Sequence, residues 1–297
     1  MTPANRYGFV AKLDYAQWPA DKVARSLASI GYGAVSWTNA HFDPRRQKIS
    51  ELRHVIETTR NAGLGVAEIV AQVDAIVLDE AERENRIAWV ESVIDVCGEL
   101  GLSPVNVMTG PAMWLPAHAR IPQDLSAGVA WDMAVDALTR YAARAARAGV
   151  ILAVEAVFGQ VAHDYFTLRE LLRRVPSPAL KVNFDPSHFF LYRNDVPWCA
   201  RALGDLIAHC HMKDAAGTPG MPGDQFLFPL LGEGGIDWTA TLAALDAAGY
   251  HGFLTVEFEA FAYYRRVLGG DPESAARLSL DALRKLYASA MAAAGQG

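Results

Sequence analysis

The chain has 297 residues, of which 52% are hydrophobic and 20% are charged, and its formal net charge is -6 at pH 7. This composition supplies enough apolar side chains for a sizeable core and excludes an intrinsically disordered chain. The negative charge, with no basic cluster, argues against nucleic acid or an anionic membrane as a partner. No segment has the run of about 18 or more apolar residues that a membrane span needs.

The N-terminal residues and the cysteines indicate the compartment. The first residues, MTPANRYGFVAKLD, lack the charged stretch followed by an apolar stretch that marks a signal peptide. The three cysteines, Cys97, Cys199 and Cys210, are odd in number and form no CxxC pair. This argues against a disulfide framework. We therefore expect a reducing, cytoplasmic environment.

Short apolar segments typical of strands alternate with longer segments typical of helices. The first four strand candidates are YGFVAKLD, AVSWTN, GVAEIVAQ and PVNVMTG. The helices that follow them are predicted at about residues 19–30, 47–63, 79–100 and 127–148. Several of the predicted helices end at glycine, which adopts a left-handed conformation at a helix C-terminus without steric cost.

The last four strand candidates are ILAVEAV, LKVNFDPSH, IAHCHMKD and FLTVEFE. Helices are predicted after them at about residues 167–174, 197–203, 238–248 and 271–292, with Thr167 and Asp237 as N-caps. Strands that alternate with helices form parallel sheets. Eight such units predict a single (β/α)8 TIM barrel, one domain over residues 1–297. The alternative, an open doubly wound sheet, usually has a glycine-rich loop after its first strand, and this chain has none.

Each of the last four apolar segments ends in one side chain that binds metals well. These side chains are Glu155, Asp185, His211 and Glu257. A buried carboxylate or imidazole costs free energy unless it has a partner, and four in succession suggest one shared partner. Two glutamates, an aspartate and a histidine suit a divalent cation that prefers oxygen and tolerates nitrogen. Singly, each has a simpler interpretation, such as a core ion pair or the turn before a proline.

Two of these ligands have close competitors. His209 lies on the same face of its strand as His211 but deeper in the barrel, where a structural hydrogen bond to a backbone carbonyl is the expected role. Glu259 alternates in the same way with Glu257, which is nearer the apolar segment. We therefore select His211 and Glu257 as the ligands. Lys213, beyond His211, is expected either to pair with Asp214 or to bind a substrate oxygen.

Four motifs, NFDPSH, HCHMKD, LGEGGIDW and FLTVEFE, resemble the xylose-isomerase-like TIM-barrel superfamily of sugar isomerases and epimerases. The resemblance covers most of the chain and is densest over residues 150–259. It implies one divalent metal ion, with Mn²⁺ favoured and Mg²⁺ or Co²⁺ as alternatives, held by the four ligands above. It also implies that His188 contacts the substrate.

The epimerase branch of this superfamily implies a mechanism. There, two metal-bound glutamates exchange a proton on the reacting carbon from opposite sides, and here they would be Glu155 and Glu257. That branch has an arginine shortly after the seventh-strand histidine, where this chain has Lys213, so ketose epimerisation is in doubt. The endonuclease branch has extra histidine ligands and a basic face, which the negative charge of this chain argues against.

A narrower resemblance concerns the catalytic subunits of bacterial C-glycoside deglycosidases. It rests on HDYFTL, GTPGMPGDQFLFPLLGEG and FEAFAYYRRVLGGDPE. Those enzymes act on 3-oxo-glucosides by metal-promoted enolisation and elimination of the aglycone. The resemblance implies His163 as an acid or base, whereas the alternative interpretation is an ordinary surface residue.

The predicted function is that of a divalent-metal-dependent sugar isomerase or epimerase that abstracts a proton next to a carbonyl through a metal-stabilised enediolate. The alternatives are a deglycosidase (lyase) and a non-catalytic sugar-binding barrel. The expected partner is a small sugar or glycoside, and a homo-oligomer or a small partner subunit is compatible with the sequence.

Two long loops, at 110–128 and 215–236, are predicted pocket walls or lids. Side chains whose flat faces stack on sugars are candidate walls, with core packing as their alternative role; they are Trp37, His41, Trp114 and Phe228.

Overall fold

The computed structural model describes residues 5–115, 117–217 and 226–294, and eight parallel strands within them close into a barrel. The barrel strands are β1 (Tyr7–Val10), β2 (Ala34–Trp37), β3 (Gly65–Val70), β4 (Val105–Met108), β5 (Leu152–Glu155), β6 (Leu180–Phe184), β7 (Ile207–Met212) and β10 (Leu254–Val256). They pair in chain order, and β10 pairs with β1 to complete the ring. The predicted (β/α)8 barrel is confirmed.

The helices surround the barrel. They are α1 (Ala20–Ile30), α2 (Ile49–Asn61), α3 (Glu80–Leu100), α4 (Ala127–Ala148), α5 (Tyr165–Arg174), α6 (Pro186–Leu191), α7 (Val196–Leu203), α8 (Trp238–Ala247), α9 (Phe261–Arg266) and α10 (Pro272–Ala294). Eight of these match the predicted helices to within a few residues, whereas the short helices α6 and α9 were not predicted. None of the helices in the described ranges is long and apolar enough to cross a membrane.

The predicted cap of α5 is wrong by three positions. Asp164, not Thr167, is the N-cap, and its Oδ1 accepts a hydrogen bond from the backbone N–H of Thr167 at 2.9 Å. The hydroxyl oxygen of Thr167 in turn accepts a hydrogen bond from the backbone N–H of Asp164, which completes a capping box. Asp237 caps α8 as predicted.

The second long loop contains a short antiparallel hairpin of β8 (Ala216–Gly217) and β9 (Phe226–Leu227). Residues 218–225, which belong to the GTPGMPGDQ part of the narrower motif, lie outside the described residues. The hairpin begins just after β7 and thus extends the wall of the barrel at the carboxyl end of that strand.

Side chains alternate between the two faces of each barrel strand, and this alternation places polar side chains inside the barrel and apolar ones against the surrounding helices. On β7, Cys210 and Met212 pack outward in the hydrophobic core, whereas His209 and His211 point inward. Cys97, Cys199 and Cys210 are free and buried, in agreement with the expectation of no disulfide framework.

Candidate functional site

Four side chains from consecutive barrel positions converge at the carboxyl ends of the strands. They are Glu155 at the end of β5, Asp185 after β6, His211 in β7 and Glu257 after β10. One potential ligand atom from each lies within 4.8 Å of the others, and all four side chains are buried. Parallel strands bring these ends to the same edge of the barrel. This cluster can hold a metal ion, and its members are the four that the sequence predicted.

Three amide side chains fix the carboxylate of Glu155. Its Oε2 accepts hydrogen bonds from Gln72 Nε2 and Asn183 Nδ2, both at 2.7 Å, and from Asn106 Nδ2 at 3.1 Å. Its Oε1 lies 3.4 Å from Nε2 of His188. One oxygen is therefore used for orientation, and the other remains on the side of His188.

Glu257 and Glu259 share the same two lysines. Lys12 Nζ lies 2.9 Å from Glu257 Oε1 and 2.7 Å from Glu259 Oε1. Lys213 Nζ lies 2.6 Å from Glu257 Oε2 and 3.2 Å from Glu259 Oε2. Glu257 is the more buried of the two and the one that joins the four-residue cluster. The preference for Glu257 over Glu259 therefore agrees with the geometry, but the sequence did not predict the role of Lys12.

The charges of the site keep its glutamates ionised. Burial raises the pKa of Glu257, but the ammonium groups of Lys12 and Lys213 outweigh it and hold this pKa well below its usual range. Burial acts in the same way on Glu155, and the charge of His211 with hydrogen bonds from His188 and His211 holds its pKa well below the ordinary value. Both carboxylates are thus able to accept a proton or to bind a cation at neutral pH.

The two carboxylate oxygens of Asp185 have different surroundings. Its Oδ1 accepts hydrogen bonds from the backbone N–H of Ser187 at 2.9 Å and from the Ser187 hydroxyl at 2.7 Å, which caps the short helix α6. Its Oδ2 lies 2.9 Å from Nζ of Lys213, off the direction of a hydrogen bond, and accepts none from the described residues. The turn interpretation and the ligand interpretation of this aspartate are therefore compatible.

His211 uses its two ring nitrogens differently. Nε2 lies 2.7 Å from Oε1 of Glu68, in the middle of β3. Nδ1 faces the cluster, 3.4 Å from Glu155 Oε2 and 3.6 Å from Glu257 Oε2. Glu68 was not predicted, although GVAEIVAQ places an acidic residue within an apolar strand, the same signal that identified Glu155.

His209 lies beneath His211, with its Nε2 3.4 Å from Oε1 of Glu68. Among the residues that the structure describes, this nitrogen has no hydrogen-bond partner, so the expected bond to a backbone carbonyl is not formed there. Burial lowers the pKa of His209 to about 4 and thus keeps the ring neutral.

The donor set and the charge balance both fit a divalent cation. Four carboxylates, those of Glu155, Asp185, Glu257 and Glu259, lie at the barrel mouth, and that of Glu68 lies deeper, next to His211. Among the described residues, two lysines contact members of this group. The two ammonium groups balance two of the five negative charges. The other three negative charges have histidine side chains as their neighbours. Buried carboxylates in excess of their counter-charges are costly unless a cation joins them.

A cavity of about 320 Å³ opens above the cluster, and one side of it is aromatic. Trp114 and Phe228, two of the predicted wall residues, line it together with Phe158, which was not predicted. The ring of Phe158 lies 5.8 Å from that of Phe228 and 6.2 Å from that of Trp114. The two long loops thus supply walls of this cavity, as expected.

A second cavity, of about 400 Å³, adjoins the first and is more polar. The two share Gln72, Trp114, Glu257 and Glu259. Lys12 and Asn39 are among the polar side chains that line only the second one. The barrel mouth is therefore a two-part cleft, with the glutamates between an aromatic and a polar compartment.

Two predicted wall residues lie elsewhere. Trp37 is fully buried in the hydrophobic core, where its Nε1 donates a hydrogen bond to Thr59 Oγ1 at 3.1 Å. His41 packs against Trp37, and its Nε2 lies 2.9 Å from the carbonyl oxygen of Trp18. Neither lines the two cavities at the barrel mouth, so the alternative role of core packing describes them.

His163 also lies outside both cavities. Its Nδ1 is 2.7 Å from the carbonyl oxygen of Gln160, and its ring packs against that of Tyr192 at a tilt, with centroids 4.5 Å apart. The structure does not bring His163 to the carboxylate cluster. His188, by contrast, lines the aromatic cavity, and its Nε2 lies 3.2 Å from Lys213 Nζ.

Asp214 does not pair with Lys213. Its Oδ2 accepts hydrogen bonds from the backbone N–H groups of Gly232 and Gly234 and from Trp238 Nε1, at 2.9, 3.1 and 2.8 Å. The LGEGGIDW motif therefore wraps around this carboxylate. This contact anchors the end of the long loop next to Lys213, whose own partners are the carboxylates of the cluster.

The comparisons with known proteins agree with the fold. The model of a family described as xylose isomerase-like TIM barrel matches residues 24–286. No protein of curated function matches the chain by sequence.

Several solved structures superpose on almost the whole chain. A 3-keto-D-glucoside 4-epimerase from E. coli is 20% identical, with a TM-score of 0.72 over 95% of this chain and 99% of that one. A D-psicose 3-epimerase from Clostridium cellulolyticum is 15% identical, with a TM-score of 0.71 over 95% and 99%. A probable 3-DHS dehydratase from Bacillus anthracis is 14% identical, with a TM-score of 0.70 over 94% and 98%. At these identities the likeness shows a shared barrel fold.

Proposed function

Because the chain belongs to the xylose isomerase-like TIM barrel family, we propose that it is a divalent-metal-dependent sugar isomerase or epimerase. It removes a proton from a carbon next to a carbonyl. The observation that carries this proposal is the convergence of Glu155, Asp185, His211 and Glu257 beneath a cavity of sugar size. The two solved epimerases named above act, by their names, on a keto-glucoside and a ketose, which supports the substrate class.

The four side chains would hold the cation through three carboxylates and one imidazole nitrogen. When bound there, a divalent cation supplies Lewis acidity toward adjacent carbonyl and hydroxyl oxygens of a sugar. Mn²⁺ is the ion we expect, since this mixed set of oxygen and nitrogen donors suits it, and Mg²⁺ or Co²⁺ are alternatives.

Glu155 is the proposed base. Its carboxylate is ionised, it lines the aromatic cavity, and three amides fix its orientation. A fixed carboxylate needs no reorientation when it accepts a proton from carbon. Glu257 lines the same cavity and is the proposed second group, which returns the proton to the carbon.

His188 and Lys213 are the proposed substrate-binding donors. They are adjacent, at 3.2 Å, and both line the aromatic cavity. Their N–H groups would orient the sugar oxygens on which negative charge develops as the carbon loses its proton. The flat rings of Trp114, Phe158 and Phe228 offer surfaces that pack on sugar C–H groups.

One observation favours a second candidate, a lyase that expels an aglycone as the C-glycoside deglycosidases do. Phe158 contacts Phe226 and Phe228, with ring centroids 4.9 and 5.8 Å apart, so the cavity has an aromatic compartment in addition to the polar one. A free sugar has no apolar substituent for such a compartment, whereas a 3-oxo-glucoside with an aromatic aglycone has one. The same proton removal by Glu155 would begin both reactions.

A substrate panel in deuterated water with added Mn²⁺ tests the proposal. Products are read by NMR after the metal is removed. Deuterium exchange into a free ketose or aldose, or its conversion to an isomer, supports the isomerase. Release of aglycone from a 3-oxo-glucoside identifies the lyase, and binding of sugars without exchange or turnover identifies a non-catalytic barrel. Metal analysis that finds neither a bound nor an activating ion contradicts the metal site.

A further inference from the structure

Glu68 is a wholly buried carboxylate that belongs to neither cavity lining at the barrel mouth. We infer that it is a positioning residue, which holds His211 by Nε2 so that Nδ1 faces the carboxylate cluster. The part of this inference that concerns the cation rests on the proposed function, whereas the contact between Glu68 and His211 does not.

The two ring nitrogens of His211 face different carboxylates. His211 Nε2 lies 2.7 Å from Glu68 Oε1, a normal distance for an N–H donor and a carboxylate acceptor. Nδ1 lies 3.4 Å from the nearest oxygen of Glu155. A ring that donates its Nε2 proton to Glu68 presents Nδ1 to the cluster. Carboxylates commonly orient a histidine ligand in this way, by accepting a hydrogen bond from its second nitrogen.

The described surroundings of Glu68 offer no polar partner other than two histidines. Its described ionic partners are His211 and His209, the second at 3.4 Å, and its Oε2 accepts no hydrogen bond from any described residue. A carboxylate in the interior of a barrel is costly, and an apolar side chain would pack there without that cost. Because Glu68 lines neither cavity, substrate binding does not account for it.

One competing interpretation is a second cation site. Glu68, His209 and His211 offer three buried ligand atoms within 4.8 Å of one another. His211 Nε2 would then have to give up its proton and its bond to Glu68 in order to bind a cation. The 2.7 Å contact favours the hydrogen bond, and metal stoichiometry separates the two interpretations.

The test uses Glu68→Ala and Glu68→Gln, with Asp43→Asn as a matched control. Asp43 is also a buried carboxylate, but its partners are Trp89, Arg45 and Arg46 instead of a residue of the cluster. Mn²⁺ affinity is measured by calorimetry. We expect Glu68→Ala to bind Mn²⁺ about 10- to 100-fold more weakly. Glu68→Gln, whose amide oxygen still accepts a hydrogen bond, should lose less, and Asp43→Asn should match the wild type.

A second readout is independent of activity and of Mn²⁺. Long-range ¹H–¹⁵N NMR of the histidine rings, without metal and with Mg²⁺, should show a slowly exchanging Nε2–H signal of His211. Glu68→Ala should lose this signal, and Glu68→Gln should keep it, shifted. If Glu68→Ala does not fold, Glu68→Gln alone still tests the inference, through a shifted His211 signal and weaker Mn²⁺ binding.

Three results would overturn the inference. The first is an unchanged His211 signal in folded Glu68→Ala, or an unshifted one in Glu68→Gln. The second is wild-type Mn²⁺ affinity in Glu68→Ala. The third is two bound ions per chain, of which Glu68→Ala loses one. A wild-type protein that binds no cation would instead contradict the proposed function, while its His211 signal would still report on the contact with Glu68.

Discussion

The ammonium nitrogen of Lys213 lies 2.6 Å from Oε2 of Glu257. A cation that binds Glu257 must share this carboxylate with the lysine. Burial lowers the pKa of Lys213, but Asp185 and Glu257 outweigh it and hold this pKa well above the ordinary value, so the lysine stays charged. The residue is thus a counter-charge for the cluster and would compete with the proposed metal ion for Glu257.

Lys213→Met should separate these two effects. Without the ammonium group the buried carboxylates repel one another, and we expect the metal-free protein to lose about 3–5 kcal/mol of unfolding free energy. Mn²⁺ should bind about tenfold more tightly or better, since a positive charge next to it is gone. Urea unfolding and calorimetry measure the two quantities. Lys285→Met, an exposed lysine on α10, is the control, and equal stability of Lys213→Met and wild type would contradict the prediction.

Glu155→Gln should fold like the wild type but lose most of its catalytic turnover. The amide oxygen can still accept from Gln72, Asn106 and Asn183, but the side chain no longer accepts a proton. We expect turnover to fall about 10²- to 10⁴-fold, with little change in unfolding free energy. Turnover near the wild-type value would rule out Glu155 as the base.

The comparison with Glu257→Gln adds information about the reaction. That change weakens contacts with Lys12 and Lys213 and should therefore also lower stability. An epimerase needs both glutamates to invert one carbon, because one removes the proton and the other returns it from the opposite face. With metal present, Glu257→Gln should therefore abolish formation of the epimer, whereas a lyase that uses Glu155 alone would still release the aglycone.

The sequence predicted the barrel because strand and helix periodicities are local and repeat eight times. It predicted the four members of the cluster because each is a polar side chain at the end of an apolar strand. Glu68 is also a polar residue in an apolar strand, but it lies in the middle of that strand, in the first half of the chain and outside the dense motifs. Lys12 was missed because its partners, Glu257 and Glu259, are about 245 residues away along the chain.

The residue type alone does not predict which aromatic side chains line the cavity. Trp37, at the end of β2, and Trp114, in a loop, are the same residue type, and both follow an apolar segment. Trp37 points outward from its strand into the core, whereas Trp114 stays half-exposed over the cavity. That difference depends on which face of the barrel the side chain occupies. His163 is similar, because it follows β5 but its ring turns to Gln160 and Tyr192.

Gly234→Ala should disrupt the loop that wraps around Asp214. A Cβ at this position would clash with Oδ1 of Asp214 and lie 2.5 Å from the carbonyl oxygen of Ala215. We expect a loss of about 1–3 kcal/mol in unfolding free energy and weaker substrate binding. Gly128→Ala, in the first turn of α4 with open space around it, should be neutral or slightly stabilising. Equal stability of the two variants would contradict the prediction.

Phe158→Ala should affect the substrate and leave the metal alone. The ring lies 5.7 Å from that of His188 and 5.8 Å from that of Phe228 between centroids, and neither of these residues is a proposed metal ligand. We expect KM to rise about fivefold with a nearly constant Mn²⁺ affinity, since one stacked aromatic contact is worth about 1 kcal/mol. Phe166→Ala, an exposed phenylalanine on α5, is the control. An unchanged KM would remove Phe158 from the substrate site.

The neutral state of His209 predicts a pH dependence of stability. Its pKa is about 4 in the folded protein and about 6.5 in the unfolded chain, so the unfolded state binds more protons between these values. Unfolding free energy should therefore fall as the pH decreases from about 6.5 to about 4. His209→Gln should reduce this fall by about 2–3 kcal/mol in metal-free urea unfolding. His54→Gln, an exposed histidine on α2, should leave it unchanged. Identical pH profiles for His209→Gln and wild type would contradict the assignment.

The pairing of β1 with β10 has a consequence for folding. Lys12 follows β1, and Glu257 and Glu259 follow β10, so the ion pairs of the site cross the seam where the first and last strands of the barrel meet. Lys213, after the neighbouring strand β7, completes this contact. A ring that opens between β1 and β10 would separate Lys12 from both glutamates. A ligand that binds the closed ring at this seam therefore disfavours its opening. Amide hydrogen exchange in β1 should slow when the cleft is occupied.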